Sequence, residues 1–146
     1  MTTDQPLAGI VRRRSELGKA MQKVELAAAA AAGKDSWKKD LEYALGKLES
    51  AWQDHVEEAE APGGLHERIL NQAPRLQRKV ASIQEDHRAI ATSIAAALEG
   101  MRDATADTDK EELRNTALDV LLALARHRQH GADLIFDAYS IDIGGY

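Results

Sequence analysis

Three histidines stand where apolar residues would be expected. His87, within QEDHRAI at residues 84 to 90, belongs to the series Leu76, Val80, Ile83, His87, Ile90, Ile94 and Ala97. His55 holds the same kind of place in Leu41, Leu45, Leu48, Trp52, His55 and Ala59, and His127 in Leu113, Ala117, Val120, Leu124, His127, Gly131, Leu134 and Ala138. Steps of three and four residues trace one face of an α-helix, and their apolar character makes that face the buried one. Each imidazole should therefore point inward. A neutral imidazole in a dry core needs partners for both ring nitrogens, so clustering implies either a shared metal ion or a polar network with Glu58, Arg14 and water. Imidazole and carboxylate without thiolate suit iron, manganese or zinc, and three histidines plus one acid suit one ion better than two.

Whether the three meet depends on their height along the helices, at about 1.5 Å per residue. A turn near residue 106 places His87 opposite residue 125, within one helical turn of His127. A first turn centred between residues 34 and 35 places His55 opposite Arg14, so the first helix offers no histidine at this level. A guanidinium keeps its charge and has no free lone pair, so Arg14 is no metal ligand, and if buried it needs a carboxylate, for which Glu58 has the right level. Glu58 lies roughly 60° around the helix from His55, whereas Glu60 falls on another side, which makes Glu58 the expected neighbour. His130 lies at the edge of its stripe, with Asp133 and Asp137 continuing that edge outward; they reach a buried site only if the last helix is rotated. His66, just after Pro62-Gly63-Gly64, reads as a surface or capping residue, and Trp52 as core packing or a pocket wall.

The elements that must carry these residues are helices. Apolar residues make up 44% of the chain but aromatics only 4%, and much of the apolar content is alanine, the strongest helix former. Asp4 and Pro6 suit the start of a first helix, which runs to about Ala32 and ends at Gly33. Ser36 caps a second helix reaching about Glu60, where Pro62-Gly63-Gly64 stops it. A short helix over 65–72 precedes a third long helix that opens at Pro74 and runs to about Gly100. Thr108 and Glu111 have the spacing of a capping box, so the fourth long helix starts there and continues to about Tyr139. Four long helices with short connections predict one all-α domain over residues 1–146, an antiparallel up-down four-helix bundle.

Charge and composition narrow the partners. The net charge of −5, with basic residues scattered except at Arg12-Arg13-Arg14, provides no broad surface for a phosphate backbone and argues against nucleic acid. No apolar run approaches a membrane span and no signal peptide is visible, so a cytoplasmic protein is expected. The absence of cysteine removes disulfides, thiolate metal sites and cysteine nucleophiles.

AWQDHVEEAEAPGGL at 51–65, QEDHRAI, and ARHRQHGADLIFDAYSIDIGG at 125–145 resemble the hemerythrin-like (HHE) cation-binding proteins, over most of the chain. The resemblance implies a four-helix bundle with a non-haem iron centre held by histidines and carboxylates, and O₂ or a related small molecule as ligand. His55, His87 and either His127 or His130 match the family's histidine positions. The chain departs from the pattern at Ala59, flanked by Glu58 and Glu60, where a glutamate is expected, and at Ala91, where a second histidine is expected. Five residues after His127 comes Ala132, followed by Asp133, and five after His130 comes Ile135. The metal ligands expected are thus drawn from His55, Glu58, His87, His127, His130 and Asp133. The reading that follows is a hemerythrin-like metal-binding protein for O₂ binding or sensing, with a protein partner or a second copy of the chain compatible with it. A metal-free structural or protein-interaction bundle with a buried histidine and carboxylate network is the alternative, and a redox enzyme a third, without a recognisable substrate pocket.

Overall fold

A computed structural model describes the backbone of residues 4–30, 33 and 36–144, and the side chains from Arg12 to Tyr139 among these. The described chain is helical and contains no strand: α1 (Asp4–Ala29), α2 (Trp37–Glu60), α3 (Leu65–Gln72), a 3₁₀ turn (Pro74–Leu76), α4 (Gln77–Asp103) and α5 (Lys110–Gly144). The long helices pack in a ring, α1 on α2, α2 on α4, α4 on α5 and α5 on α1, while α3 lies across one end against α2, α4 and α5. No helix is long and apolar enough to cross a membrane among the described residues.

The helix ends differ in detail from the sequence expectations. Ser36 does occupy the position before α2, but its hydroxyl bonds the Asp40 carboxylate at 3.0 Å rather than a backbone N–H. Thr108 does not cap α5 either. Its hydroxyl accepts from the Thr105 N–H at 2.9 Å, and Asp109 accepts the Glu111 N–H at 2.9 Å, so the carboxylate one residue nearer the helix takes the capping role. Pro74 opens the 3₁₀ turn, and α4 proper begins at Gln77. α5 continues five residues beyond Tyr139, to Gly144. The Asp4 and Pro6 side chains and the surroundings of Gly33 fall outside the described residues.

Every residue of the three predicted stripes is buried except His55, Leu113 and Gly131, which are half-buried. α1 adds Leu17, Ala20, Val24 and Ala28, completing a large apolar cluster with Leu41, Leu45, Leu48, Ile94, Leu98 and Leu124. A second, smaller cluster joins Ile69, Leu76, Val80, Ile83, Leu134 and Ala138 near the α3 end. His87 on α4 and His127 on α5 fall between the two clusters in chain order, with Ile83 and Leu134 on one side and Ile90 and Leu124 on the other.

The connection between α2 and α3 depends on two glycines. Gly63 has φ +76°, a left-handed conformation that glycine adopts without steric cost. A Cβ on Gly64 would lie 2.7 Å from the carbonyl oxygens of Glu58 and Ala61, so the chain can fold back on α2 only with glycine there. This reversal carries His66 onto the interior.

Leu48 is fully buried in the larger cluster. Leu48→Ala is expected to destabilise the chain by about 2–5 kcal/mol through lost burial and the cavity left behind, read from the urea midpoint. A loss well under about 1 kcal/mol would show that this part of the core is not close-packed.

Candidate metal centre

α2, α4 and α5 each deliver one imidazole to a common point. The ring centroids of His55, His87 and His127 are separated by 5.5, 5.4 and 4.8 Å. One donor nitrogen from each lies within 4.8 Å of the other two. His55 Nε2 and His127 Nε2 are 3.3 Å apart. Two imidazoles on one tetrahedral ion with metal–nitrogen bonds of about 2.0–2.1 Å would have nearly that separation.

Trp52 forms one wall. Its indole N–H donates to the His87 carbonyl at 3.2 Å, which pins the ring at this level of α4. The ring stacks on His55 at 5.0 Å and meets His87 and His127 edge-on at 5.5 and 5.0 Å, so it serves both as core and as pocket wall.

Carboxylates orient the rings from outside. Glu60 accepts a hydrogen bond from His87 Nδ1–H. That bond fixes the His87 tautomer and leaves Nε2 as a lone pair, which is buried and has no partner. Asp86 lies 3.9 Å from His127 Nδ1, itself buried without a hydrogen bond. An unsatisfied buried polar atom typically costs about 1–3 kcal/mol; His127 Nδ1, the nitrogen turned to Asp86, is not the one that meets His55, so a single ion at the Nε2 atoms would satisfy only His87 of the two.

His66 is 4% exposed, so it is neither a surface nor a capping residue as its place after the glycines suggested. It stacks on His87 at 5.5 Å with the rings 12° from parallel, and its Nδ1 contacts the Gln84 amide nitrogen at 3.1 Å. Burial is the leading cause that lowers all four imidazole pKa values. His55 and His87 are pushed down to about 3, with the neighbouring His127 adding to burial in each. His66 and His127 shift in the same direction, partly opposed by Glu60 and Asp86 respectively. At neutral pH these rings are neutral, the protonation state in which imidazole is a metal donor.

Of the six residues expected as ligands, the structure brings together His55, His87 and His127. Glu58 is half-buried and shares a cavity of about 40 Å³ with His55 and Arg14, outside the convergent donors. The expected levels of Arg14 and His55 therefore agree. His130 has a 60% exposed side chain and lies 3.5 Å from Asp86, on the rim. Asp133 is exposed and accepts from Gln129 Nε2 at 3.0 Å, so it faces away from the cluster. The acid that does reach a ring is Glu60. Five residues beyond His55 is about 140° around the helix, which turns Glu60 from His55 toward α4 and its histidine. Asp86, adjacent to His87 in QEDHRAI, likewise addresses the histidine of α5 rather than its own neighbour. Helix geometry offered both signals, but only the packing partner says which ring each acid meets.

No family model matches this chain, and neither a curated protein nor a solved structure matches it.

Histidines held neutral by burial make stability depend on pH. Between about pH 6.5 and about pH 3 the unfolded chain binds protons that folded His55 and His87 exclude, so stability is full above the unfolded pKa and falls as pH drops through this window. The slope reaches at most about 1.4 kcal/mol per pH unit for each histidine. The urea midpoint of the metal-free chain should fall as the buffer goes from neutral to mildly acidic, and His55→Gln should flatten that fall. An unchanged midpoint would contradict neutral burial of the cluster.

Proposed function

We propose that this protein binds one first-row transition-metal ion through His55, His87 and His127. The observation that carries the reading is the orphaned His87 Nε2, whose lone pair is set by the bond from Nδ1–H to Glu60 and directed into a cluster with two further imidazoles. A carboxylate behind a histidine is how metal-ligating imidazoles are commonly fixed in tautomer and orientation. Three neutral nitrogen donors fit one ion, and Ala59, Ala91 and Ala132 supply no donor for a second.

The hemerythrin-like resemblance extends the proposal to an antiparallel up-down bundle, with iron as the metal and O₂ or a related small molecule as the ligand. Arg114, early in α5, donates to the carbonyls of Ala28 and Ala30 at the end of α1, and Lys38, early in α2, donates to the Ala104 carbonyl just beyond α4. Such pairing of helix beginnings with helix ends supports the antiparallel arrangement. A bound ion would supply Lewis acidity, and iron would add redox chemistry toward O₂. The chain's own residues hold the imidazoles neutral, aim them, and exclude water through Trp52 and the two apolar clusters.

A metal-free structural network is the second reading. The 3.3 Å contact between His55 and His127 favours it, since one ring can donate to the other without an ion.

Untagged protein loaded anaerobically with iron(II), or with cobalt(II) as a coloured substitute, separates the two. About one ion per chain is expected, with binding abolished or weakened at least 100-fold in His87→Ala. Two ions per chain would overturn the single-ion site, and none would leave the network reading. Glu60→Gln should weaken metal affinity by about 10–100-fold while the fold persists, measured by competition with a chelating dye. An unchanged affinity would remove Glu60 from the site.

A further inference from the structure

A groove of about 330 Å³ between α1 and α5 is lined by Arg14, Met21, Ala125, Arg128, Gln129 and Ala132. Both of its charged residues are arginines, in a chain whose net charge is −5. Arg128 reaches across α1, with Nη1 3.5 Å from where a Cβ on Gly18 would stand and 3.9 Å from Met21 Sδ. The lack of a side chain at Gly18 thus leaves the guanidinium room to lie over the helix. Neither Arg14 nor Arg128 forms an ion pair among the described residues, although Arg13, next in sequence, pairs with Glu16 and Asp54.

Arg14 is half-buried and lines a second space, the cavity of about 40 Å³ that also touches His55 and Glu58. Its charge reaches His55, where it adds to the forces that keep the imidazole neutral. One residue therefore connects a positively lined surface groove with the edge of the histidine cluster. The larger surface cavity nearby, of about 500 Å³, carries Asp54, Glu57 and Glu58 against Arg13 and Arg68, and that balance disfavours an anion.

We propose that the α1–α5 groove binds a small oxygen-bearing anion between the Arg14 and Arg128 guanidiniums. The groove does not depend on the metal-binding reading. A guanidinium presents paired N–H donors that match two oxygens of a carboxylate or phosphate, and two such forks suit a small anion better than a neutral solute. The groove has the size of a small-molecule site and is too small for a macromolecular segment.

The test follows the arginine Nε–Hε NMR signals of the metal-free chain as inorganic phosphate, and separately acetate, is added at constant ionic strength. Saturable shifts at Arg14 and Arg128 are expected with at least one of the two, and the tighter binder identifies the class. Arg14→Gln and Arg128→Gln should each weaken it about tenfold or more, as expected for losing a charge-assisted bond, while Arg78→Gln on α4 changes nothing. Arg128 is exposed, so its variant reports even if Arg14→Gln disturbs packing. Absence of saturable shifts with both anions, or equal weakening by all three substitutions, would overturn the site. Anion binding that persists in a chain unable to take up cobalt would support the groove and count against the metal reading alone.

Discussion

Desolvation of three imidazoles in one layer is the constraint on which the rest of the structure depends. Burial drives His55, His87 and His127 toward the neutral form, and neutral rings so close together need partners that the apolar clusters on either side cannot supply. The surrounding structure answers in pieces. Glu60 takes one ring nitrogen, Asp86 approaches another, His55 and His127 meet each other, and Trp52 closes one side. What is left is a lone pair at His87 Nε2 that points at nothing. One donor nitrogen from each of the three rings lies within 4.8 Å of the other two, close enough for all three to hold a single ion.

The turn between α2 and α3 belongs to the same solution. Glu60 ends α2, and the close approach at Gly64 reverses the chain within a few residues. The reversal lets α3 place His66 flat against His87, and Gln84 of α4 holds the outer ring through its Nδ1. Backbone geometry at two glycines is thereby converted into the position of an aromatic partner in the interior. α1 contributes differently. It closes the larger core with Leu17, Val24 and Ala28, and at the level of the histidines it brings a cation in place of a donor. The ring of four helices is complete in packing but asymmetric in chemistry, with imidazoles on three sides and Arg14 on the fourth.

The capping residues show how closely competing local solutions lie. Thr108 and Asp109 are neighbours able to accept a backbone N–H, and the structure gives Thr108 to the turn at Thr105 and Asp109 to the helix. Ser36 prefers the Asp40 carboxylate to the backbone. Such choices among adjacent polar side chains differ by little energy and are set by how the connection enters the bundle.

Periodicity alone determined the helices, their buried faces and the inward direction of His55, His87 and His127, because an apolar stripe at 3.6 residues per turn admits only one face to the core. It also brought His87 level with His127 and Arg14 level with His55, since rise per residue is constant along a helix. Tertiary structure decided which acid met which ring. Glu58 and Glu60 both follow His55 within five residues, and nothing in one helix says which of them faces a neighbouring helix. His66 lay beyond the reach of periodicity, being the second residue of a short helix whose direction depends on Gly63 and Gly64. His130 and Asp133 were left on the rim by the rotation of α5 about its own axis, a quantity fixed by side chains of α1 and α4 packed against it.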